Sequence, residues 1–344
     1  MNKILFIGAT LSIGLTMVSC GTQKEALYLE LSSPEESGLN LVKITDEANG
    51  SVVGGTAGIL RYDVNYANAQ CGFNKEHNIR WGCYPNLQIS PDGNKIAYIT
   101  HSNDQNNILV RNTNSQGIST QRTFRNVIGG FAWGNDGKLY FSDSNYPNTY
   151  ISSVDAEKGS VMSQHTSGNV DDSDPAVSSD GNIIFFTRWN STYGPSIWAL
   201  NRKDGTLSSC TRGFNPCPVP DNNDAFYCCR NNTSGRSEIW YVDYVNGEES
   251  VILSDVNHGF TNPKLSPDGK WLLIVGNATS SISKKENTDI FAVRTDGTQL
   301  TQLTFHPETD LCPVWSNDGK NIFFISSRAN KERYYNIWRM NFQL

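Results

Sequence analysis

The chain has 344 residues and a formal net charge of −6, with only 18% of its residues charged. Gly is frequent, and Asn, Ser and Thr fill the stretches between apolar runs, a composition of β structure with polar loops rather than of a helical bundle. No run of Lys and Arg is available to neutralise phosphates, which argues against nucleic acid as a partner.

The chain begins with Asn2-Lys3, then the apolar run ILFIGATLSIGLTMV, closed by Ser19-Cys20. This reads as a secretory signal over residues 1–19, too short and wrongly flanked for a spanning helix. A cysteine after small residues at its end resembles the bacterial lipobox. That resemblance implies that Cys20 becomes a lipidated N-terminus, holding the protein on a membrane surface without spanning it. Residues 20–25 form a tether. The GTQKEA stretch resembles the charged tether that sends some lipoproteins to the cell exterior, so the expected location is the outer membrane, on its periplasmic face or at the cell surface.

Residues 26–344 read as a single β-propeller domain. ALYLELSS, residues 26–33, is placed either as a fifth strand or, with residues 51–70, in a degenerate seventh blade. LNLVKIT, residues 39–45, looks like the outer strand TQLTQLT of a later repeat. The last repeat ends after three strands, so LNLVKIT is expected to supply its fourth and hide an edge.

Asp-Gly pairs stand at Asp92-Gly93, Asp136-Gly137, Asp180-Gly181, Asp268-Gly269 and Asp318-Gly319. Each separates a short apolar run from a longer one, as in NPKLSPDGKWLLIV. The steps are 44, 44, 88 and 50 residues, and the long step holds a decayed turn at Asp221-Asn222-Asn223-Asp224. Six four-stranded units result, the period of propeller blades. Third strands recur as SIWALNRKDG, EIWYVDYVNG and NIWRMNF, and second strands such as NIIFFT are continuously apolar, as in sheets covered on both faces. The fold expected is all-β: a six-bladed propeller of antiparallel blades closed by an N-terminal strand, with seven blades as the alternative.

Seven cysteines remain after Cys20. Disulfides suit an exported protein. The local pairs are Cys71–Cys83 and Cys210–Cys217, and Cys312 is matched with Cys228 or Cys229 if the fold brings them together. One cysteine is left over. Adjacent Cys228 and Cys229 on a strand point to opposite faces, which does not suit zinc.

The repeats NPKLSPDGKWLLIV, CPVWSNDGKNIFFISSR and DIFAVRTDGTQLTQLTFHPETDLCPVW resemble the TolB-type propeller repeat over about residues 85–342. The resemblance implies a propeller and says little of function. Only about sixty residues lie between Cys20 and the first unit, without room for the separate N-terminal α/β domain of TolB.

The Asp-Gly turns lie on one face of such a ring. The loops after each second strand, and between blades, lie on the other, where a ligand site is expected. His165, His258 and His306 fall in blade-to-blade loops, and with Asp174 and Asp310 they form a candidate metal or polar site. The oligogalacturonate lyases, a related propeller class, hold a metal with histidines near the channel. By that resemblance the alternative function is a metal-dependent enzyme acting on an acidic oligosaccharide, with a divalent metal as its cofactor. Arg188, Arg230 and Arg328 follow second strands and, with Trp189, Tyr193, Tyr334 and Tyr335, form a candidate clamp for a carboxylate or a ring. No GxSxG elbow and no phosphate-binding glycine loop occurs. The first expectation is therefore a lipid-anchored binding and scaffolding module for an envelope protein, peptide or glycan, with no cofactor required.

Overall fold

A computed structural model describes residues 34–45, 73–74, 79–80, 86–102, 105–114, 118–125, 127–145, 147–159, 161–279, 286–326, 328–329 and 335–344. Residues 1–33 and the 51–70 stretch lie outside them, so the signal segment, Cys20, the tether and the alternative seventh blade are not described.

Six four-stranded antiparallel sheets follow one another around a ring. Blade 1 holds Leu87–Ile89, Lys95–Ser102, Gln105–Asn112 and Thr120–Gln121, and blade 2 holds Val127–Trp133, Lys138–Asn145, Asn148–Asp155 and Ser163–Gln164. Blade 3 holds Asp172–Val177, Ile183–Asn190, Gly194–Asn201 and Leu207–Arg212. Blade 4 holds Phe214–Val219, Asn222–Asn231, Ser237–Asp243 and Glu248–Leu253, and blade 5 holds Phe260–Leu265, Trp271–Thr279, Glu286–Arg294 and Thr301–Gln302. Blade 6 holds Asp310–Trp315, Asn321–Ser326 and Asn336–Asn341, and its outer strand is Val42–Lys43 from the N-terminal side. Val42 pairs with Arg339 and Lys43 with Trp338, which closes the ring as expected. A separate two-stranded hairpin pairs Phe73–Asn74 with Ile79–Arg80. Among the described residues no helix is long and apolar enough to cross a membrane.

The apolar second strands explain the stacking. Phe185 and Phe186 are adjacent in blade 3, so they point to opposite faces, and both are fully buried. Phe186 joins Tyr140, Ile151 and Ile184 in the wedge between blades 2 and 3. Phe185 joins Phe226, Cys228 and Val242 in the wedge between blades 3 and 4. Each such side chain stabilises the fold by about 1.5–3 kcal/mol. A wedge of this kind fills every blade interface, including blade 6 against blade 1 around Leu87, Tyr98, Phe323 and Ile337.

Four of the five Asp-Gly turns are built alike, while at Asp136-Gly137 glycine stands in the serine position and Asp136 accepts from the Tyr140 hydroxyl instead. In blade 5 the Ser266 hydroxyl donates to Asp268 Oδ1 and accepts from the Trp271 amide, while Gly269 sits at φ 70°. The same Ser–Asp bond recurs as Ser90–Asp92, Ser178–Asp180 and Ser316–Asp318. The Ser90 hydroxyl, with the Asn94 amide, holds the Asp92 carboxyl down to about 2. Turns also bond to neighbouring turns: Asn135 Nδ2 donates to Ser179 O, Ser179 Oγ to Pro220 O, and Asn317 Nδ2 to Pro91 O. This face of the ring is thereby cross-linked to itself.

The bridge expected between Cys210 and Cys217 is not present, and both are free thiols. Cys210 packs on the wedge between blades 3 and 4, and Cys217 lies in the wedge between blades 4 and 5. Closeness in sequence across a blade boundary does not place them in one wedge. Cys71 and Cys83 lie outside the described residues. Cys228 and Cys229 point into the two wedges flanking blade 4, and Cys312 into that between blades 6 and 1.

Turn glycines differ in what an added Cβ meets. At Gly269 it meets nothing within 4 Å, so Gly269→Ala costs only the left-handed backbone, about 1–2 kcal/mol. At Gly297, φ 83°, it would stand 2.3 Å from Ile252 O. Thermal unfolding of the two variants should show the larger loss for Gly297→Ala.

Candidate functional site

The inner strands run from the second face toward the Asp-Gly turns. Four of them carry a left-handed residue before a proline: Asp174 (φ 51°), Asn215 (52°), Asn262 (57°) and Cys312 (51°). Each coincides with a β-bulge in pairing to the second strand. Asn86, Gly130, Asp174, Asn215 and Asn262 thus converge around the axis on a cavity of about 20 Å³, room for about one water. Asp174 Oδ1 accepts from the Gly130 amide, 2.8 Å, which ties blade 3 to blade 2 at the channel wall. Past this collar the channel widens to about 300 Å³, lined by Gln88, Val177, Lys264 and Trp315 among others. The axis is therefore narrow at the collar and open toward the turns.

The three loop histidines have separate partners. His165 Nε2 lies 2.8 Å from Ser153 Oγ, with its ring 5.4 Å from that of Tyr140. Burial, with the nearby Arg202 and Lys138 charges, pushes its imidazole down to about 4. His258 Nδ1 lies 2.9 Å from Asp255 Oδ1 and its ring stacks on Phe260. His306 is 1% exposed, and its Nδ1 accepts from the Glu308 amide. Among the described residues no group of three or more His, Cys, Asp or Glu side chains is arranged to hold a metal. Of the two carboxylates placed with the histidines, Asp174 belongs to the channel collar and Asp310 to a buried cluster in blade 6.

The three arginines form a repeated device. Arg188 lies 4.6 Å from the ring of Trp198, Arg230 4.3 Å from Trp240 and Arg328 6.0 Å from Trp338. Each tryptophan is the one in its blade's recurrent Ile-Trp third strand, so the stacking is a property of the repeat. Each guanidinium also holds a carboxylate. Arg188 meets Asp172 through Nε and Nη2, 2.7 and 2.9 Å, and Arg230 meets Glu249. Arg328, fully buried, meets both Glu36 and Asp310. Trp189 donates its indole N–H to Ser173 Oγ. Tyr334 lies outside the described residues, and Tyr335 is buried in the wedge between blades 6 and 1.

Asp289 stands beside the Arg328 cluster. Burial and the neighbouring Asp310 charge raise its carboxyl well above the ordinary range. Asp310 is pushed up to about 6 by burial, against the opposing pull of Arg328. With three acids around one guanidinium, a protonated Asp289 relieves the excess negative charge. Residue spacing did not reveal Glu36 or Asp289 as members, since neither lies near Arg328 in the chain.

On the same face, between blades 2 and 3, opens a cavity of about 410 Å³ lined by Arg188, Trp189, Tyr193, Trp198 and Arg212 among others. Arg188 and Trp189, expected in the loop after the second strand, lie within it, in Ile183–Asn190, and only Tyr193 is in the turn that follows. Trp198 and Arg212 were not read as site residues, because they lie on strands and reach the cleft only through pairing.

No family model and no curated protein matches the sequence. Solved structures do. The chain is similar in fold to TolB from Acinetobacter baumannii, at 17% identity and TM-score 0.57, covering 73% of this chain and 64% of that one. It therefore spans less than two thirds of that TolB's length. It is also similar to an oligogalacturonate lyase from Vibrio parahaemolyticus, at 10% identity and TM-score 0.52, covering 88% and 97%. A gluconolactonase from Xanthomonas campestris aligns at 13% identity and TM-score 0.54, covering 74% and 84%. At these identities the likeness shows the fold alone: a TolB-like six-bladed propeller.

Two measurements check this electrostatic reading. The folded pKa of Asp289 is raised, so its contribution to stability is fully present below about 3.8, the unfolded value, and is lost as pH rises through the folded one. Asp289→Asn, permanently neutral, should remove that part of the pH slope in unfolding experiments and cost about 1 kcal/mol or less. Arg328→Ala leaves buried carboxylates uncompensated and should cost about 3–5 kcal/mol. Separately, the His165 imidazole should titrate in NMR spectra with a midpoint near 4; a midpoint at the ordinary 6.5 would place it in solvent.

Proposed function

We propose that the chain is a binding and scaffolding module of the cell envelope, held at a membrane by lipid on Cys20 and presenting its second face to a protein, peptide or glycan. The observation that carries this reading is the cleft of about 410 Å³ on that face, which is of ligand-site size and lined by aromatic and cationic side chains. The rigidity of its surroundings supports it. Asp172 and Arg188 are locked by two hydrogen bonds, and Asn190 Oδ1 caps the hairpin by accepting from the Thr192 and Tyr193 amides. A pre-ordered wall loses little entropy on binding. The opposite face is laced by its own turn-to-turn bonds. The fold by itself does not select a function, since one architecture carries lyase, lactonase and TolB chains alike.

The test is position-specific photo-crosslinking in intact cells. A crosslinker at Tyr193, on the second face, should capture a partner, and one at Lys270, on the turn face, should not. Capture confined to Lys270 would overturn the reading. Cys20→Ser should move the protein from the membrane to the soluble fraction, and retention of the variant in the membrane would overturn the lipid anchor.

A further inference from the structure

The cleft between blades 2 and 3 is lined by Arg188, Ser196 and Arg212, three members of a single cross-strand row. Register places Asp172 opposite Arg188, Arg188 opposite Ser196, and Ser196 opposite Arg212. Directly opposed residues share one face of a sheet, so four strands contribute one line: acid, base, hydroxyl, base. The first two are mutually neutralised. The Asp172 side chain is fully buried and that of Arg188 only 16% exposed. At the outer end of the line, Arg212 is exposed, and its guanidinium has no hydrogen bond or ion pair among the described residues. One register step along, Trp198 lies opposite Phe186, on the same sheet face as the row. The Trp198 indole N–H donates to Ser196 Oγ, 3.1 Å, which orients the ring within the row. Tyr193, 75% exposed at the hairpin end, stands across the cleft mouth.

The row thus has an unspent cation with aromatic side chains beside it. Arg188 and Arg230 show what this chain does with a guanidinium that serves architecture: it is paired with a carboxylate and stacked on a third-strand tryptophan. Arg212 does neither. The whole chain is acidic, so long-range attraction does not draw anions to it, and recognition of one here depends on the local cation.

We propose that this cleft binds a carboxylate carried on a ring, with the carboxylate on the Arg212 guanidinium and the ring against Tyr193 and the part of Trp198 that lines the cleft. The planar guanidinium fork matches a carboxylate through two parallel hydrogen bonds. Two sources share this chemistry, an acidic sugar and an aromatic acid. The inference deepens the binding-module reading and rests on it.

The experiment uses the full chain and two acids, D-glucuronate and phenylacetate, each with a neutral counterpart, methyl glucoside and benzyl alcohol. Binding is followed by the indole N–H signals of the tryptophans. At least one acid should shift the Trp198 signal, its neutral counterpart should not, and Arg212→Ala should weaken that acid at least tenfold while leaving the melting temperature unchanged. Which acid responds identifies the source. Equal binding of a neutral counterpart, unchanged binding in Arg212→Ala, or no response to either acid would each overturn the proposal. Capture through Tyr193 together with no response to either acid would overturn the ligand class and leave the module standing. Acid binding together with crosslinks only on the turn face would do the reverse.

Discussion

The ring depends on one closure. Five blades complete their four strands from consecutive chain, but blade 6 borrows its outer strand from residues nearly three hundred positions away. Two strand residues do the pairing, and the segment around them does the holding. Ile44 enters the wedge between blades 6 and 1, Thr45 Oγ1 donates to Asn336 Oδ1 and accepts from the Ile337 amide, and Glu36 meets Arg328 in the interior. A buried charge is tolerated only when its partner is present. Arg328 and Asp310 sit in blade 6, so the presence of Glu36 is what lets that blade bury its own arginine. Ring closure and local charge balance are the same event.

Around this closure the chain reuses a few devices. The Ser–Asp–Gly turn fixes the first hairpin of four blades, and turns link to neighbouring turns. The arginine on a third-strand tryptophan recurs in three blades with different acids: Asp172, Glu249, and the pair Glu36 and Asp310. Repetition is evidence for architecture, and it changes the meaning of Arg188, Arg230 and Arg328. They looked like a clamp, and in the fold each is occupied. What remains for recognition is what departs from the repeat, and in blade 3 that is Arg212 beside an exposed Tyr193.

The fold was largely legible because its determinants are local. Asp-Gly spacing counted the blades, continuous apolar runs such as NIIFFT marked sheets covered on both sides, and the unpaired end of the last unit called for a strand like LNLVKIT. The functional surface was legible only by face. Tyr193 was placed on the cleft side as a loop residue, whereas Trp189, also read as loop, belongs to the second strand, and the narrow polar collar around the axis was not read at all. The bulges at Asp174, Asn215 and Asn262 turn these side chains around the axis, and a left-handed residue before proline is not evident from residue type alone.

By itself the sequence determined everything set by neighbours within a hairpin: strand period, turn chemistry, blade number, and which face carries the turns. Tertiary structure alone decided which distant charges meet. Arg328 finds Glu36 across the closure, burial and the Asp310 charge on the next blade raise the Asp289 carboxyl, His165, His258 and His306 each take separate partners, and Cys210 and Cys217 enter different wedges. The reason is geometric. Each blade presents two faces to two different neighbours, so residues a few positions apart are sent into separate interfaces, and only closing the ring brings its two ends together.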